Sequence, residues 1–425
     1  MDNTYDICII GGGAAGLTAA IAAGRASRQA GISARIGILE SSDRVGRSIL
    51  KTGNGRCNFT NEHAVDDPYA VGYYNPAFVH DAYQALGAAL PGSAECAPDP
   101  VLGFFEGIGL AWRQEADGRR YPLANKASVV VDVLRAACAF EGVEEVCNAE
   151  VMAIEVHESG NTRFMLRLAD GRLVHARAVI VACGGAVEAC APEGIPVNKM
   201  HAVLGPIACC TKDQAITRQL DNIRIKCDVQ LMREQDGAYE CIGAQTGELL
   251  FRPYGLSGIC IFDLSRLAQP GDAIRIGLLQ GKTPEQAHEY VQARHKGLAE
   301  TFGTVDYGCL LRGLVLSRIA DVLLDLADLD EQDPVDDAGR DTLASLLGGL
   351  SFTVEGMGPV EQCQVQRGGF TVEAFNPTTM EAHAIPGLFA AGEALDVEGP
   401  CGGYNLHWAW GSGLLAGTTC AQLLA

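Results

Sequence analysis

The beginning of the chain alternates apolar runs with glycine-rich and alanine-rich segments. Residues 7–10 are apolar at every position and predict a short buried strand. Residues 14–26 are rich in alanine and predict a helix, and a second apolar run at residues 36–39 predicts another strand. The pattern therefore predicts a strand–turn–helix unit at the start of an α/β protein.

Apolar periodicity continues through the first half of the chain. It predicts helices at residues 77–90 and 126–140. It also predicts three strands at residues 151–156, 163–168 and 173–176, with Asp170 and Gly171 as the hairpin turn between the last two. A separate buried strand is expected at residues 179–183. We therefore predict a three-stranded meander followed by a buried strand.

The pattern changes after residue 206. Short strands are predicted within residues 207–264, for example at 223–232 and 259–264, and helices at 283–301, 309–327 and 341–350. Residues 328–339 are acidic and predict a linker. The end of the chain returns to a buried strand at residues 387–393, followed by a helix that starts near Asn405.

Composition and charge narrow the class of protein. The chain has 425 residues, of which 48% are hydrophobic and 20% charged, which is long enough for two or three domains and argues against disorder. Its formal net charge is −20, which argues against a nucleic-acid partner. We expect a small-molecule substrate instead, and the sequence leaves the oligomeric state open.

The cysteine pattern and the absence of targeting segments suggest a location. The 16 cysteines include no C-x-x-C motif, which argues against zinc ribbons and thioredoxin-type dithiols, and no metal site is expected. Scattered cysteines in a large chain suit a reducing compartment. The first residues lack the pattern of a secretory signal, so none is expected, and no apolar run is long enough to cross a bilayer. The expectation is a cytoplasmic protein without membrane contact.

Three glycines follow the first strand with the G-x-G-x-x-G spacing of a dinucleotide-binding turn. Gly11 permits the tight turn, Gly13 leaves the backbone open to a pyrophosphate, and Gly16 lets the helix pack on the strand. The helix N-terminus adds N–H donors for the phosphates. Glu40 ends the second strand, where a carboxylate can bond a ribose hydroxyl. The alternative is a tight turn that binds no ligand.

A polar, glycine-rich stretch at residues 51–61 follows the ribose-binding position. Gly53 and Gly55 allow backbone to approach a flat ligand. The polar side chains that supply donors are those of Thr52, Asn54, Arg56, Asn58 and Thr60. A polar surface loop is the alternative. Its place so soon after Glu40 favours a loop that lines the cofactor.

These stretches resemble a known family. Residues 52–61, 118–122, 126–134, 247–264 and 352–417 are similar to the bacterial YhiN/BaiN-like flavoproteins, also called aminoacetone-oxidase-type FAD-binding enzymes. The resemblance implies an α/β fold: a Rossmann-type FAD-binding domain of the two-dinucleotide-binding-domain kind, with an inserted β-rich plus helical module. We predict the FAD-binding domain at residues 1–190 and 351–425, the β-rich module at 191–270 and the helical module at 271–350. Residues 186–206 are shorter than is usual in the family.

The motifs and the resemblance together predict the residues that hold FAD. Besides the dinucleotide turn, they place the first meander strand at the adenine, the acid after the last strand at the ribityl chain or pyrophosphate, and the Gly-Gly helix start at the flavin N1/O2 edge. The predicted residues are Gly11, Gly13, Ala14, Ala15, Gly16, Glu40, Ser41, Gly46, Arg47, Thr52, Gly53, Gly55, Arg56, Cys57, Asn58, Val151, Cys183, Gly184, Gly392, Glu393, Gly402, Gly403, Tyr404, Asn405 and Leu406.

The predicted activity is FAD-dependent oxidoreduction of a small organic molecule. No second G-x-G-x-x-G follows a strand, so NAD(P)H is expected to dock transiently as electron donor rather than in its own domain. Relatives suggest reduction of an activated C=C bond in a steroid-like substrate, or oxidation of an amine with oxygen. A flavin-binding regulatory protein without catalysis is the third alternative. Candidates for the proton donor in C=C reduction are Tyr254, Tyr404 and His407.

Overall fold

The computed structural model describes residues 3–90, 99–157 and 162–424. It contains two compact units. The discontinuous unit consists of Met1–His201 and Val365–Ala425, and the inserted unit is Ala202–Gln364.

The first segment of the discontinuous unit alternates strands and helices. Its apolar runs form the strands, and its alanine-rich and periodic stretches form the helices. The elements are β1 (Thr4–Ile10), α1 (Ala14–Gln29), β2 (Ile36–Leu39), β3 (Thr60–Asn61), α2 (Pro68–Val71), α3 (Pro76–Ala89), α4 (Pro100–Gly107), β4 (Trp112–Gln114), β5 (Arg119–Pro122), α5 (Ala127–Phe140), β6 (Glu144–Val146), β7 (Val151–Val156), β8 (Phe164–Leu168), β9 (Leu173–Val181), α6 (Val187–Cys190) and β10 (Val197–Val203).

The inserted unit contains most of the longer strands and several helices. Its elements are β11 (Ile207–Cys209), α7 (Thr211–Gln219), β12 (Arg224–Gln235), β13 (Ala238–Arg252), β14 (Gly255–Ser257), α8 (Ile259–Ser265), β15 (Ala273–Gly277), α9 (Pro284–Phe302), α10 (Tyr307–Leu311), α11 (Ser317–Ala327), α12 (Asp337–Gly349) and β16 (Leu350–Met357). The chain then returns to the discontinuous unit through β17 (Val365–Phe370), β18 (Leu388–Ala390) and α13 (Tyr404–Gln422).

A seven-stranded sheet forms the centre of the discontinuous unit. Its order is β6-β2-β1-β9-β8-β7, and β18 pairs with the carboxyl-terminal end of β9. The strands β6, β2, β1, β9 and β18 pair in parallel, whereas β7 and β8 are antiparallel. Because parallel strands present their carboxyl ends at one edge, the turns after β1, β2, β9 and β18 meet there.

The predicted separation between the meander and the buried strand is wrong, because β9 is one continuous strand. On one side, residues 173–176 pair antiparallel with β8 and residues 179–181 pair in parallel with β18. On the other side, β1 pairs in parallel with β9 from His175 to Val181. No turn residue interrupts residues 173–181, and the alternating pattern at Val174 and Ala176 passes directly into the fully buried run at Val179–Val181. The change of pattern marks a change of neighbours along the same strand.

The first and the last helix of the discontinuous unit pack closely through small residues. A Cβ at Gly413 would lie 2.4 Å from the carbonyl oxygen of Ala15, and a Cβ at Gly417 would lie 2.1 Å from that of Ala19. Only glycine permits this approach. The contact holds α13 against α1. The start of α13 and the dinucleotide turn therefore belong to the same compact unit.

The inserted unit is built around a closed barrel. Its strand order is β11-β14-β13-β12-β15-β16. Barrel residues such as Val229, Leu249 and Phe352 share one hydrophobic core with helix residues such as Val291 and Leu323. The β-rich and helical modules, which were predicted to be separate with a boundary at residue 270, therefore pack together. The inserted unit begins after residue 201 and ends at residue 364, and these boundaries differ from the predicted ones.

Two predicted elements of the inserted unit are wrong. Residues 259–264 belong to helix α8 and do not form a strand. The buried residues follow a helical spacing: Cys260, Ile261, Leu264 and Ser265. An apolar run this short is compatible with either a helix or a strand. The single helix predicted at 309–327 is two helices, α10 and α11. Arg294 donates to the carbonyl oxygens of Leu310 and Arg312, at 2.8 and 2.6 Å, where a continuous helix would need those acceptors for its own backbone.

Across the described ranges, none of the helices combines the length and the hydropathy needed to span a bilayer.

Candidate active site

The turn after β1 has the geometry that the dinucleotide spacing predicts. Gly11 has φ of +102°, and a Cβ there would lie 2.5 Å from the carbonyl oxygen of Ala182 at the end of β9. A Cβ at Gly16 would lie 1.8 Å from the carbonyl oxygen of Gly11. The first and third glycines are therefore required by the fold itself, whether or not a ligand is bound.

Gly13 is different, because its surroundings are open. A Cβ at Gly13 would approach only the hydroxyl oxygen of Ser48, at 3.3 Å, and its φ of −82° suits any residue. Gly13 is the N-cap of α1, and no side chain caps that helix start among the described residues. The first turn, including Ala14 and Ala15, thus offers uncapped N–H groups and the positive end of the helix dipole to an anion.

Glu40 closes the turn from the second strand. Its Oε2 accepts the N–H of Gly12 at 2.8 Å, and its Oε1 accepts the N–H of Ser42 at 2.8 Å and the hydroxyl of Ser41 at 3.3 Å. These bonds fix the carboxylate beside the turn, with lone pairs left for ribose hydroxyls. The backbone carbonyl of Glu40 accepts from Ala149 at 2.8 Å, which places the start of β7 and Val151 beside it.

The glycine-rich stretch after Glu40 starts from the same turn. Gly46 donates its N–H to the carbonyl oxygen of Gly12 at 2.7 Å, and Arg47 pairs with Asp43 at the surface, at 3.3 Å. Residues Ile49–Gly55 form two short 3₁₀ turns separated by a kink at residues 52–54, within which φ and ψ are not helical. The kink lies in the loop predicted at residues 51–61. Thr52 holds the turn through a 2.7 Å bond from its hydroxyl to the carbonyl oxygen of Ile49.

Arg56 and Cys57 end this stretch in contrasting environments. The Arg56 guanidinium lies over the ring of Tyr121, 4.6 Å from its centroid, and 3.7 Å from the carboxylate of Glu115. Cys57 is fully buried, and burial raises the pKa of its thiol to about 12. The thiol is therefore protonated at neutral pH, and its part in the site is packing.

Glu393 lies at the carboxyl end of β18, beside the end of β9. Its Oε1 accepts the N–H of Gln366 at 2.6 Å, and a Cβ at Gly184 would lie 3.8 Å from its Oε2. Burial raises the pKa of Glu393 to about 7. A carboxyl group that is partly protonated near neutral pH can donate a hydrogen bond to a hydroxyl or phosphate oxygen as well as accept one. The adjacent Gly392 is fixed by a 2.9 Å bond from its N–H to Ser412.

The start of α13 lies directly on the glycine-rich stretch. A Cβ at Gly403, whose φ is +103°, would lie 2.7 Å from the carbonyl oxygen of Thr60 and 3.1 Å from Oδ1 of Asn58. Asn61 donates its amide to the carbonyl oxygen of Gly402 at 2.9 Å. The structure thus joins two stretches about 340 residues apart, and its contacts with Thr60 and Asn61 were not predicted.

His407 is buried beneath this junction. Its Nδ1 is 2.7 Å from the hydroxyl oxygen of Thr60, and its Nε2 is 3.9 Å from Asp99, which also lies near Arg120 at 3.6 Å. The ring is 1% exposed, and burial lowers its pKa, so it is neutral at physiological pH. These contacts make His407 a positioning residue for the junction. Its predicted role as proton donor stays a prediction.

Asn405 and Tyr404 shape the loop before α13. The Asn405 amide donates to the carbonyl oxygens of Gly399 and Pro400, at 2.9 and 3.2 Å, and accepts the N–H of Gly399 at 2.8 Å. This side chain therefore closes the loop. Tyr404 is half-buried, and its backbone carbonyl accepts from the hydroxyl of Tyr73 at 3.0 Å. Leu406 is also half-buried.

Tyr254, the remaining proton-donor candidate, belongs to the inserted unit. Its hydroxyl donates to Oε1 of Gln362 at 2.7 Å, and burial raises the pKa of the phenol. The phenol is protonated at neutral pH. Its action on a substrate at the flavin stays a prediction.

The residues of the discontinuous unit fit FAD. The open space at Gly13 and the uncapped start of α1 suit a pyrophosphate, and Glu40 suits the ribose. At the junction with α13, Oδ1 of Asn58 is buried without a hydrogen-bond partner among the described residues. A buried acceptor of this kind calls for a donor from a ligand, and a flavin ring carries an N–H. Bound FAD would supply the electron-transfer chemistry at this junction.

In the described part of the chain, no group of three or more His, Cys, Asp or Glu side chains is arranged to hold a metal ion.

The HI0933-like protein Rossmann domain family matches residues 5–419 of this chain. A 3-dehydro-bile acid delta(4,6)-reductase from Clostridium scindens is 30% identical, over 98% of this chain and 99% of that protein. A ribosomal RNA dihydrouridine synthase from Escherichia coli is 28% identical, over 98% of this chain and 97% of that protein. A solved 3-ketosteroid-delta4-(5alpha)-dehydrogenase from Rhodococcus jostii covers 99% of this chain and 97% of its own, with 15% identity and a TM-score of 0.45.

The family match confirms the fold class predicted from the sequence, with its Rossmann-type domain and inserted β-rich module. The enzyme class, an FAD-dependent oxidoreductase, is confirmed as well. The electron donor, the substrate, the cytoplasmic location and the individual site residues stay predictions. The chain belongs to the HI0933-like Rossmann-domain family, the family that its sequence resembles.

Proposed function

We propose that this chain is an FAD-dependent reductase that adds two hydrogens across an activated C=C bond of a small, steroid-like molecule, with NAD(P)H as electron donor. The observation that carries the proposal is the 30% identity, over nearly the full length of both chains, to a protein named as a bile acid delta(4,6)-reductase. In such a substrate a carbonyl group conjugated to the double bond draws electrons and makes the far carbon an acceptor of hydride.

The residues of the discontinuous unit have separate tasks in this proposal. The uncapped start of α1 and Glu40 hold the adenosine and pyrophosphate half of the cofactor. The junction of Gly403 with Thr60 sets the position of the ring, and the N-terminus of α13 favours negative charge that develops there. Asn58 supplies a buried acceptor for a ring N–H.

Proton delivery completes the reduction and must come from an acid at the second carbon. Tyr254 and Tyr404 are the proposed candidates, because His407 is neutral, fully buried and engaged by Thr60. The phenylalanine variants Tyr254→Phe and Tyr404→Phe separate them. The variant that lacks the proton donor should still be reduced by NAD(P)H but should lose at least about 100-fold in enone turnover.

The proposal is tested by anaerobic reduction of the purified yellow protein. NADH or NADPH should bleach the flavin absorbance, and addition of a 3-oxo-Δ4 steroid acid should restore it and yield the saturated product. Heat release and chromatography should identify FAD rather than FMN, since Gly13 and Glu40 form an adenosine half-site. Bleaching by an amine alone, with recovery in oxygen, would favour the amine oxidase instead. Failure of every donor to bleach the flavin would favour a binding protein.

A second candidate is the formation of dihydrouridine in RNA, because two relatives of 28% and 25% identity are named ribosomal RNA dihydrouridine synthases. The same hydrogen addition to a ring C=C bond would occur, on a nucleobase. The net charge of −20 favours the small molecule, since RNA binding requires a basic surface. Incubation of the reduced protein with unmodified ribosomal RNA, followed by nucleoside analysis, decides between them: dihydrouridine at one position would replace the first proposal.

A further inference from the structure

Two cysteine side chains meet at the carboxyl end of β9. Sγ of Cys183 lies 3.8 Å from Sγ of Cys190. Cys183 lies two residues beyond the end of β9 and is half-buried, whereas Cys190 is the last residue of the short helix α6 and is 2% exposed. The sequence contains no C-x-x-C motif, so this pair, seven positions apart, was not recognised from spacing.

The segment between the two cysteines lies outside the strands of the central sheet. It consists of a 3₁₀ turn, Gly184–Ala186, and the four residues of α6. For a disulfide the sulfurs must approach from 3.8 Å to about 2.05 Å, which requires a shift of Cys183 or of α6. Neither residue lies inside a strand or a long helix, where such a shift would cost many hydrogen bonds.

We propose that Cys183 and Cys190 are a redox-active thiol pair, which a small disulfide such as oxidised glutathione converts into an intramolecular disulfide at the edge of the cofactor-binding turn. This is a modification site distinct from the reductive chemistry proposed above. It needs no electrons from the flavin, because the small disulfide is the oxidant.

The exchange has two steps. The thiolate of Cys183, the more exposed of the two, attacks one sulfur of glutathione disulfide; that S–S bond breaks, and glutathione thiolate leaves and takes up a proton. The thiolate of Cys190 then attacks Cys183 in the mixed disulfide and expels the second glutathione. The protein loses two electrons and two protons, and one glutathione disulfide becomes two glutathione thiols.

The environment sets the speed of this exchange. The hydrogen bond with Cys190 and burial raise the pKa of Cys183, and the charge of Glu393 acts in the same direction, whereas the same hydrogen bond lowers the pKa of Cys190. The thiolate fraction of Cys183, the attacking group, is therefore small at neutral pH. Oxidation should be slow at pH 7 and should become faster as the pH rises.

The position of the pair couples it to the cofactor, a part of the inference that rests on the proposed FAD site. A Cβ on Gly11 would lie 2.9 Å from Cα of Cys183, and Gly184 faces Glu393. A disulfide that draws Cys183 toward α6 would therefore displace groups at the cofactor turn. Disulfide formation should therefore weaken FAD binding, by about tenfold. By thermodynamic linkage, bound FAD should lower the equilibrium constant for disulfide formation by the same factor.

The experiment incubates the purified holoprotein, and the same protein after FAD removal, with oxidised glutathione at pH 7 and pH 8.5. Free thiols are then blocked, and the protein is digested. Trypsin leaves both cysteines in residues 178–199, so the disulfide appears as a loss of two hydrogen masses. A further cut after Glu188 separates the two cysteines, which stay linked only by the disulfide.

Variants and an internal control make the result decisive. Cys190→Ser should keep glutathione bound at Cys183, and Cys183→Ser should form neither adduct nor cross-link. Cys227 and Cys260 share a hydrogen bond in the inserted unit, but both are buried, so they should stay reduced in the folded protein. Absence of the 183–190 link at both pH values, with or without FAD, would overturn the proposal. A link that forms equally fast with FAD bound would overturn its coupling to the cofactor while leaving the reductase proposal intact.

Discussion

The dinucleotide turn and the junction at α13 use glycine in different ways. At the turn, Gly11 and Gly16 bring backbone to backbone within one strand–turn–helix unit, and Gly13 leaves an open space. At the junction, Gly403 lets the start of a helix rest on Thr60, which is more than 340 residues earlier. The first site is made by local geometry and the second by packing between distant segments. Changes at Gly13 should therefore act on the ligand, whereas changes at Gly11, Gly16 and Gly403 should act on the fold.

The largest effect is expected for Gly13→Val. The protein leaves space for the side chain, but the valine would occupy the position of the pyrophosphate. FAD should be lost completely, and with it about 2.7 kcal/mol of stabilisation at a free FAD concentration of one hundred times its Kd. Flavin absorbance of the purified variant and its thermal unfolding with and without added FAD measure both. A variant that retains FAD would contradict the assignment of Gly13 to the pyrophosphate site. An unfolded variant would contradict the conclusion that Gly13 is not required for folding.

The next largest effect is expected for Gly403→Ala. The new methyl group would meet the carbonyl oxygen of Thr60 at 2.7 Å in a conformation with φ of +103°, so the apoprotein should lose at least about 2 kcal/mol in free energy of unfolding. Urea unfolding without FAD provides the measurement. The matched control is Gly297→Ala in the exposed part of α9, which has no neighbour within 4 Å and should gain about 0.5–1 kcal/mol. If the two substitutions change the free energy of unfolding equally, the contact between Gly403 and Thr60 does not require glycine.

Thr60→Val tests the buried hydrogen bond of the junction. Valine keeps the shape but removes the hydroxyl that lies 2.7 Å from Nδ1 of His407, which leaves a buried ring nitrogen unsatisfied. We expect a loss of about 1–3 kcal/mol in the unfolding free energy of the apoprotein. Thr342→Val removes an exposed hydroxyl that bonds its own helix, and it should change stability by less than about 0.5 kcal/mol. A silent Thr60→Val would show that the histidine bond does not stabilise the junction.

An effect on stability that depends on pH is expected for Glu393→Gln. The folded pKa of about 7 exceeds the ordinary 4.5, so the folded state binds the proton more tightly than the unfolded state. The stability contribution of Glu393 should be fully present below pH 4.5 and should be lost as the pH rises to 7. The loss is at most about 3 kcal/mol, and less where water reaches the carboxyl group.

Unfolding of the apoprotein in urea from pH 4 to pH 9 measures this effect. In Glu393→Gln the decline between pH 4.5 and 7 should be smaller than in the wild type. Glu373→Gln, a change at an exposed carboxylate of the same unit, should reproduce the wild-type profile. If the two variants have the same profile, the carboxyl group of Glu393 has no raised pKa.

The dinucleotide turn could be predicted from the sequence because its information is local. The spacing of Gly11, Gly13 and Gly16 between an apolar strand and an alanine-rich helix needs no distant contact to be interpreted. By contrast, residues 259–264 form a helix because of the barrel core that they pack against, and the break after Leu311 depends on Arg294, which belongs to another helix. Short apolar runs do not carry that information.

The candidate site shows the same limit. The glycine-rich stretch and the Gly-Gly helix start were both predicted at the flavin ring, and the structure shows that they touch each other. Asp99 carried no signal, because a lone Asp acquires a role only from its neighbours in space. Thr60 and Asn61 lie in the glycine-rich stretch, but the sequence did not indicate that they contact His407 and Gly402. Asn405 carried a signal, but its amide closes the loop at Gly399, a contact that no sequence spacing indicates.

The glycine contacts between α1 and α13 have a consequence for synthesis on the ribosome. Helix α13 begins 390 residues after α1. At a translation rate of about 5–20 residues per second, α13 is therefore synthesised roughly 20–80 s after α1. During that interval the alanine-rich face that receives Gly413 and Gly417 is exposed to the cell. A nascent chain that lacks α13 should therefore depend on a chaperone, and the flavin should enter only after translation of the final helix.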